Sequence, residues 1–158
     1  MGNPAAWIDV LGLRVAQARV RQSQMLQDDI GYNVSPLSTD QYSAVGRAGT
    51  YITDRKALTD VLGKSIDGVI SADAKTIAVL ERNLGLEPGS LQQGFKIREA
   101  KGIRARNPRS PLPGGAGNNQ YFLGAGEHLP GGGPEMLIDS IPTTDAAGVK
   151  TIGIVTAK

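Results

Sequence analysis

Glycine and proline, at 21 and 9 of its 158 residues, punctuate the backbone of this chain unusually densely. An average protein carries roughly 12% of the two together, and here they approach one residue in five. The rest of the composition is ordinary. Hydrophobic residues make up 40% and charged residues 20%, which argues for one globular domain with its own core and against a disordered or collagen-like chain. Cysteine is absent and His128 is the sole histidine. Together these exclude a disulfide scaffold, a thiol nucleophile, a Cys-based zinc site and a His-rich metal cluster. A net charge of +2 is too small to argue for nucleic acid by itself. No run of 18 apolar residues suggests a membrane span, and the start of the chain lacks a signal-peptide layout.

Met1 to Leu13 reads as a separate element, a short strand or turn, with Trp7, Ile8, Val10, Leu11 and Leu13 lacking apolar partners nearby. Arg14 to Gln27 is rich in Ala, Gln, Arg, Leu and Met with no Gly or Pro, and predicts a helix ended by Asp28, Asp29 and Gly31. Tyr32 to Pro36 reads as a strand, Ser38-Thr39-Asp40 as a brief helical turn, and Gly46 to Gly49 as a tight loop. Thr50 to Thr53 is β-branched and aromatic, hence a strand. Thr53 or Asp54 then caps a helix that runs through Leu62 and stops at Gly63. Val69 to Ser71 is ambiguous. Asp73 to Leu84 is a helix with Ile77, Leu80 and Leu84 on one face and Gly85 as its stop. Strands are expected at 95–103, 121–123, 136–139 and 151–156, with a Pro/Gly/Arg/Asn loop over 104–120. Helices first and strands later predict an α+β fold.

Six basic residues, Lys96, Arg98, Lys101, Arg104, Arg106 and Arg109, face one acid, Glu99, for a local net of +5. This is either the charge that blunts an edge strand or a surface that meets phosphates or an acidic partner. The loop Gly124 to Pro134 does not fit a phosphate-binding fingerprint, because it lacks Gly-Lys-Ser/Thr and leads into a strand. Its glycine run suggests a flexible surface turn, or a backbone that must bend sharply or approach something closely. His128, inside it, is a solvated loop residue or a catalytic one.

Glu135 stands out: it follows Pro134 and opens the apolar strand Met136-Leu137-Ile138. There a rigid element holds a carboxylate while the loop adapts around it. Arg47, between the glycines of Gly46-Arg47-Ala48-Gly49, is either an exposed turn residue or a fork suited to phosphate. With Tyr51 and Thr53, these residues supply the cation, aromatic platform and carboxylate that a dinucleotide site needs.

Two resemblances follow from these motifs. Asn3-Pro4-Ala5-Ala6-Trp7-Ile8-Asp9-Val10-Leu11-Gly12-Leu13 resembles the end of the conserved core of Rhs proteins, with Val10 where that family more often has proline. The resemblance implies that residues 14–158 are a toxin domain, released from the Rhs shell by cleavage near Leu13. It further implies secretion inside a larger protein, action in the cytoplasm of a competing bacterium and a cognate immunity protein.

Gly131-Gly132-Gly133-Pro134-Glu135-Met136-Leu137-Ile138 is similar to the last active-site strand of ADP-ribosyltransferases, and Tyr32 to Pro36 with Gly46 to Thr53 resembles their early strands. Gly133 stands two places before the Glu, so the arginine-modifying signature is absent and the diphtheria-like group with a lone Glu is nearer. That resemblance implies a split, mostly antiparallel sheet around a cleft for NAD, with Glu135 and Arg47 catalytic. Arg47 would hold the pyrophosphate, Tyr51 or Tyr121 would stack on the nicotinamide, Thr50 or Thr53 would fix hydroxyls, and His128 joins the NAD-binding set. The acceptor is a macromolecule of the recipient cell, with a translation elongation factor one candidate. The enzymatic alternative is a ribonuclease using His128, Glu135 and the 96–109 stretch; a membrane-active toxin and a plain binding module are the non-enzymatic ones.

Overall fold

A computed structural model describes residues 4–46, 49–109 and 128–158. The first element is helix α1, Pro4–Asp28. Its inward face carries Ala18, Arg21, Gln22 and Met25, spaced so that all four point the same way. Ala18 and Met25 are buried. Arg21 makes a bidentate ion pair with Asp54, Nε to Oδ2 at 2.6 Å and a second nitrogen to Oδ1 at 2.7 Å. Asp29 closes the helix in the left-handed conformation at φ 61°. Its side chain accepts from Arg104 N at 2.8 Å, which offsets the cost of that backbone.

The expected strand or turn at Met1 to Leu13 is not formed, since α1 runs from Pro4 through Gly12 and Leu13 without a break. An apolar stretch without strict alternation is no strand signal, and one helical glycine costs only about 1 kcal/mol.

Strand β1 (Ile30–Pro36) pairs antiparallel with β5 (Phe95–Lys101), and β5 pairs antiparallel with β8 (Val149–Ala157). β4 (Gly68–Ala72) lies parallel to β8 at the far edge, giving the order β1-β5-β8-β4. Two short antiparallel pairs complete the set, β2 (Ala44–Val45) with β7 (Ile141–Pro142) and β3 (Thr50–Ile52) with β6 (Met136–Ile138). The described residues therefore form an α+β fold with a mostly antiparallel arrangement.

The expected order of helices first needs correction. β1, β2 and β3 precede helix α2 (Arg55–Leu62), and β4 separates α2 from α3 (Ala74–Asn83). β4 was ambiguous in sequence because most of its residues are exposed, which leaves no alternation to read. β5 also stops at Lys101, and Ile103–Ala105 forms a 3-10 turn. Tyr121 to Leu123 lies outside the described residues.

Both short helices are capped as their sequences require. Asp54 accepts from Ala57 N at the start of α2 and Gly63 ends it. Asp73 accepts from Thr76 N at the start of α3, and Gly85 follows at φ 68°. These helices cover one face of the sheet through Leu58, Ile77 and Leu80 against Tyr32, Phe95, Ile97 and Val155. The opposite face holds a second core of Met25, Val45, Ile52, Ala100, Ile138 and Ile141. Among the described residues no helix is long and apolar enough to cross a membrane.

Buried Glu81 of α3 organises the loop entering β5, accepting from Gly89 N at 3.0 Å and Leu91 N at 2.8 Å. In β8, a Cβ on Gly153 would come within 2.1 Å of the Ile66 carbonyl oxygen, a backbone atom that cannot swing aside. Gly153→Ala is expected to destabilise the fold by about 2 kcal/mol through overpacking. Urea denaturation checks this as a lower midpoint with an unchanged slope.

Candidate active site

The β3–β6 ladder builds the site. It sets Thr50 opposite Ile138, Tyr51 opposite Leu137 and Ile52 opposite Met136, so the next step outward sets Thr53 beside Glu135. Alternation turns Ile52, Met136 and Ile138 into the second core, which leaves Tyr51, Thr53 and Glu135 on the other side. Thr53 is also the joint to the main sheet. Its backbone exchanges two hydrogen bonds with Tyr32, at 2.8 and 2.9 Å. This bridge is isolated. Nearby, the Asn33 side-chain amide donates to the Tyr51 carbonyl at 3.0 Å. Ser35 Oγ in turn donates to Asn33 Oδ1.

Glu135 is held from both sides along its backbone. Thr53 Oγ1 donates to the Pro134 carbonyl at 2.7 Å, and Gln22 Nε2 of α1 donates to the Glu135 carbonyl at 2.8 Å. The residue is only 7% exposed. Its Oε2 is buried and has no hydrogen-bond partner among the described residues. Burial pushes the carboxyl group up from 4.5 to about 7, because the desolvated anion loses water's stabilisation. The Tyr51 phenol is also raised, chiefly by its own burial and then by the charge of Glu135. That coupling places the ring within the field of the carboxylate.

The glycine run before Glu135 is a packed element. Gly131 N donates to the Asn83 carbonyl of α3 at 3.0 Å, and Leu129 N donates to the Gly133 carbonyl at 2.7 Å. A Cβ on Gly131 would meet Asn83 Cβ at 2.6 Å, and one on Gly133 would meet Ala57 Cβ of α2 at 3.0 Å. The close approach that these glycines permit is to helices of the same chain. His128 is buried, with Nδ1 at 2.7 Å from the Leu129 carbonyl oxygen. Since a carbonyl only accepts, Nδ1 carries the proton of that bond.

The structure thus brings Glu135, Tyr51 and Thr53 together. The hydroxyl of Thr53 is engaged with Pro134, so within this arrangement it positions the carboxylate's backbone. Thr50 is 1% exposed and its hydroxyl donates to the Val45 carbonyl, which turns it away from a ligand. Arg47 and Tyr121 lie outside the described residues. Gln22 and Asn33 were missed by sequence reasoning. Gln22 sits 113 positions from its partner, and nothing local in a helical glutamine signals such a contact.

No protein-family model matches the chain, and no curated protein matches it significantly. The site's geometry is therefore the basis for its chemistry. Among the described residues, no cluster of three or more His, Asp or Glu side chains is placed to hold a metal.

The raised carboxyl of Glu135 makes a prediction about stability. The folded state keeps this proton up to about pH 7, whereas the ordinary value is 4.5. The burial penalty is thus absent below the lower value and complete above the higher one, where it reaches on the order of 3 kcal/mol. Glu135→Gln is expected to match the wild type at pH 4.5 and to be the more stable protein at pH 8. Chemical denaturation across that range reads the divergence directly.

Proposed function

We propose that this chain is a toxin domain that cleaves the nicotinamide–ribose bond of NAD and transfers ADP-ribose to a macromolecular acceptor. The observation that carries the reading is the buried Glu135 carboxylate, fixed along its backbone on both sides and with one oxygen left without a described partner. When the glycosidic bond breaks, its electron pair leaves with nicotinamide and the ribose acquires oxocarbenium character. An ionised carboxylate in a water-poor site stabilises that charge far more than one in bulk water does. The acceptor then attacks the anomeric carbon and loses a proton.

Tyr51 supplies an aromatic face beside the carboxylate. Thr53 and Gln22 are positioning residues in this scheme, and Arg47, Tyr121 and His128 remain the proposed NAD contacts. Delivery as the C-terminal part of an Rhs protein, with a cognate immunity protein, belongs to the same proposal. Cleavage near Leu13 would leave Ala18, Arg21, Gln22 and Met25 in place, the residues through which α1 meets the rest of the domain.

The test is incubation of the purified protein with adenylate-labelled NAD and a bacterial lysate. Label on a macromolecule is expected, with Glu135→Gln slower by about 100- to 1000-fold. Untouched NAD, or an equally active Glu135→Gln, would overturn the reading. RNA loss without NAD would favour the ribonuclease alternative.

A pH profile gives an independent check. Because the carboxylate must be ionised, kcat/KM of the free enzyme is expected to rise with pH through about 7 and then level off. A profile flat from pH 5.5 to 8.5 would exclude Glu135 as the essential anion.

A further inference from the structure

The basic stretch from Lys96 to Arg109 looks like a continuous cationic surface in sequence, but folding divides it. Lys101 pairs with Glu99 at 3.6 Å, Arg104 with Asp29 at 3.5 Å, Arg106 with Asp145 at 2.9 Å and Arg109 with Asp139 at 3.0 Å. Each of these cations has its own carboxylate. Lys96 and Arg98 do not, for they share Asp40 at 2.7 and 3.3 Å. Positive charge is therefore in local excess at one place only within this stretch.

Arg98 is the unusual member of that pair. Its side chain is 9% exposed, although a guanidinium presents five N–H donors and is almost never buried without partners. Among the described residues it makes one hydrogen bond, the 3.3 Å contact to Asp40 Oδ1. Asp40 is half-exposed and sits on the 3-10 turn Leu37–Gln41. Its other oxygen, Oδ2, faces Lys96. The guanidinium fork, which fits two oxygens of an oxyanion side by side, is thus met at one nitrogen only.

The register tells where this fork points. Arg98 stands opposite Asn33 on β1 and Thr151 on β8, on the face of the sheet away from α2 and α3. There a cavity of about 400 Å³ is lined by Asp40, Lys96, Arg98, Thr143, Lys150 and Thr151 among others. Glu135 does not line it. Thr53, beside Glu135, joins the main sheet through its backbone bridge to Tyr32. A cavity of this size takes a small organic ligand and exceeds what a lone inorganic ion fills.

We infer that this cavity binds a phosphate monoester of nucleotide size, with Arg98 and Lys96 holding the phosphate. Two cations balance the dianion, and the threonine hydroxyls at the wall suit the ligand's remaining polar groups. Asp40 occupies the anion position in the free protein and competes with the ligand for both cations. The inference stands apart from the reading of Glu135, since Glu135 does not line this cavity.

Isothermal titration of the whole chain with AMP, inorganic phosphate and adenosine tests it. AMP is expected to bind saturably and more tightly than inorganic phosphate, and adenosine is expected not to bind. Lys96→Gln should weaken AMP by about fivefold, and Asp40→Asn should tighten it by a similar factor as the competing charge is removed. A gain of affinity cannot arise from a damaged fold, so Asp40→Asn keeps the test decisive even if other variants lose structure. The responses to Asp40→Asn and Lys96→Gln separate this site from the NAD chemistry, because both residues line the cavity and Glu135 does not. Absence of saturable AMP binding in both wild type and Asp40→Asn would overturn the inference, as would adenosine binding as tightly as AMP. AMP affinity unmoved by either charge variant, or binding only to a single-stranded RNA oligonucleotide, would also overturn it.

Discussion

The two backbone hydrogen bonds between Tyr32 and Thr53 are the joint on which the site depends. They fasten the β3–β6 pair to the four-stranded sheet. Thr53 then uses its side chain for a second task, gripping Pro134 and so fixing where the next residue begins. Asp54 follows immediately and serves three donors at once, capping α2 and receiving both nitrogens of Arg21. Two adjacent residues thereby tie together the sheet, the loop before Glu135, α1 and α2. A small displacement at this joint moves all four.

Glu135 and Arg98 present opposite versions of one electrostatic problem. Each is a charged group largely removed from water, Glu135 with a buried oxygen that has no partner among the described residues and Arg98 with one side-chain hydrogen bond. For the carboxylate the cost emerges as a proton held until neutral pH. The guanidinium meets a single carboxylate oxygen, on Asp40. It is instead left with donors in excess. Burying a charge without full pairing is costly, and both proposed sites are built on such a group.

What could be read from the sequence was what local chemistry decides. The start of α2 was legible as Thr53 or Asp54, of which Asp54 is the cap, α3 through the spacing of Ile77, Leu80 and Leu84, and Gly63 and Gly85 marked the ends. Glu135 was legible because a proline and a glycine run isolate it from the loop just before an apolar strand. The order of strands was not legible. β4 carries little apolar pattern since it is an exposed edge, and β2 and β7 are two residues each. The division of the basic stretch was hidden for a related reason. Asp29, Asp40, Asp139 and Asp145, which pair most of it off, come from four other segments of the chain.

The place of β8 in the strand order bears on how the molecule comes into being. Val149–Ala157 is inserted between β5 and β4, so the last of the described strands in chain order is an interior member of the sheet. Until it emerges, β5 has one neighbour, β4 has none, and Phe95 and Ile97 lack the strand that covers their flank. Such closure by distant segments is slow compared with helix formation. The sheet therefore closes only once residues 149–157 are made, and a nascent chain that stops before Val149 carries the Glu135 site while lacking the strand that joins β5 to β4.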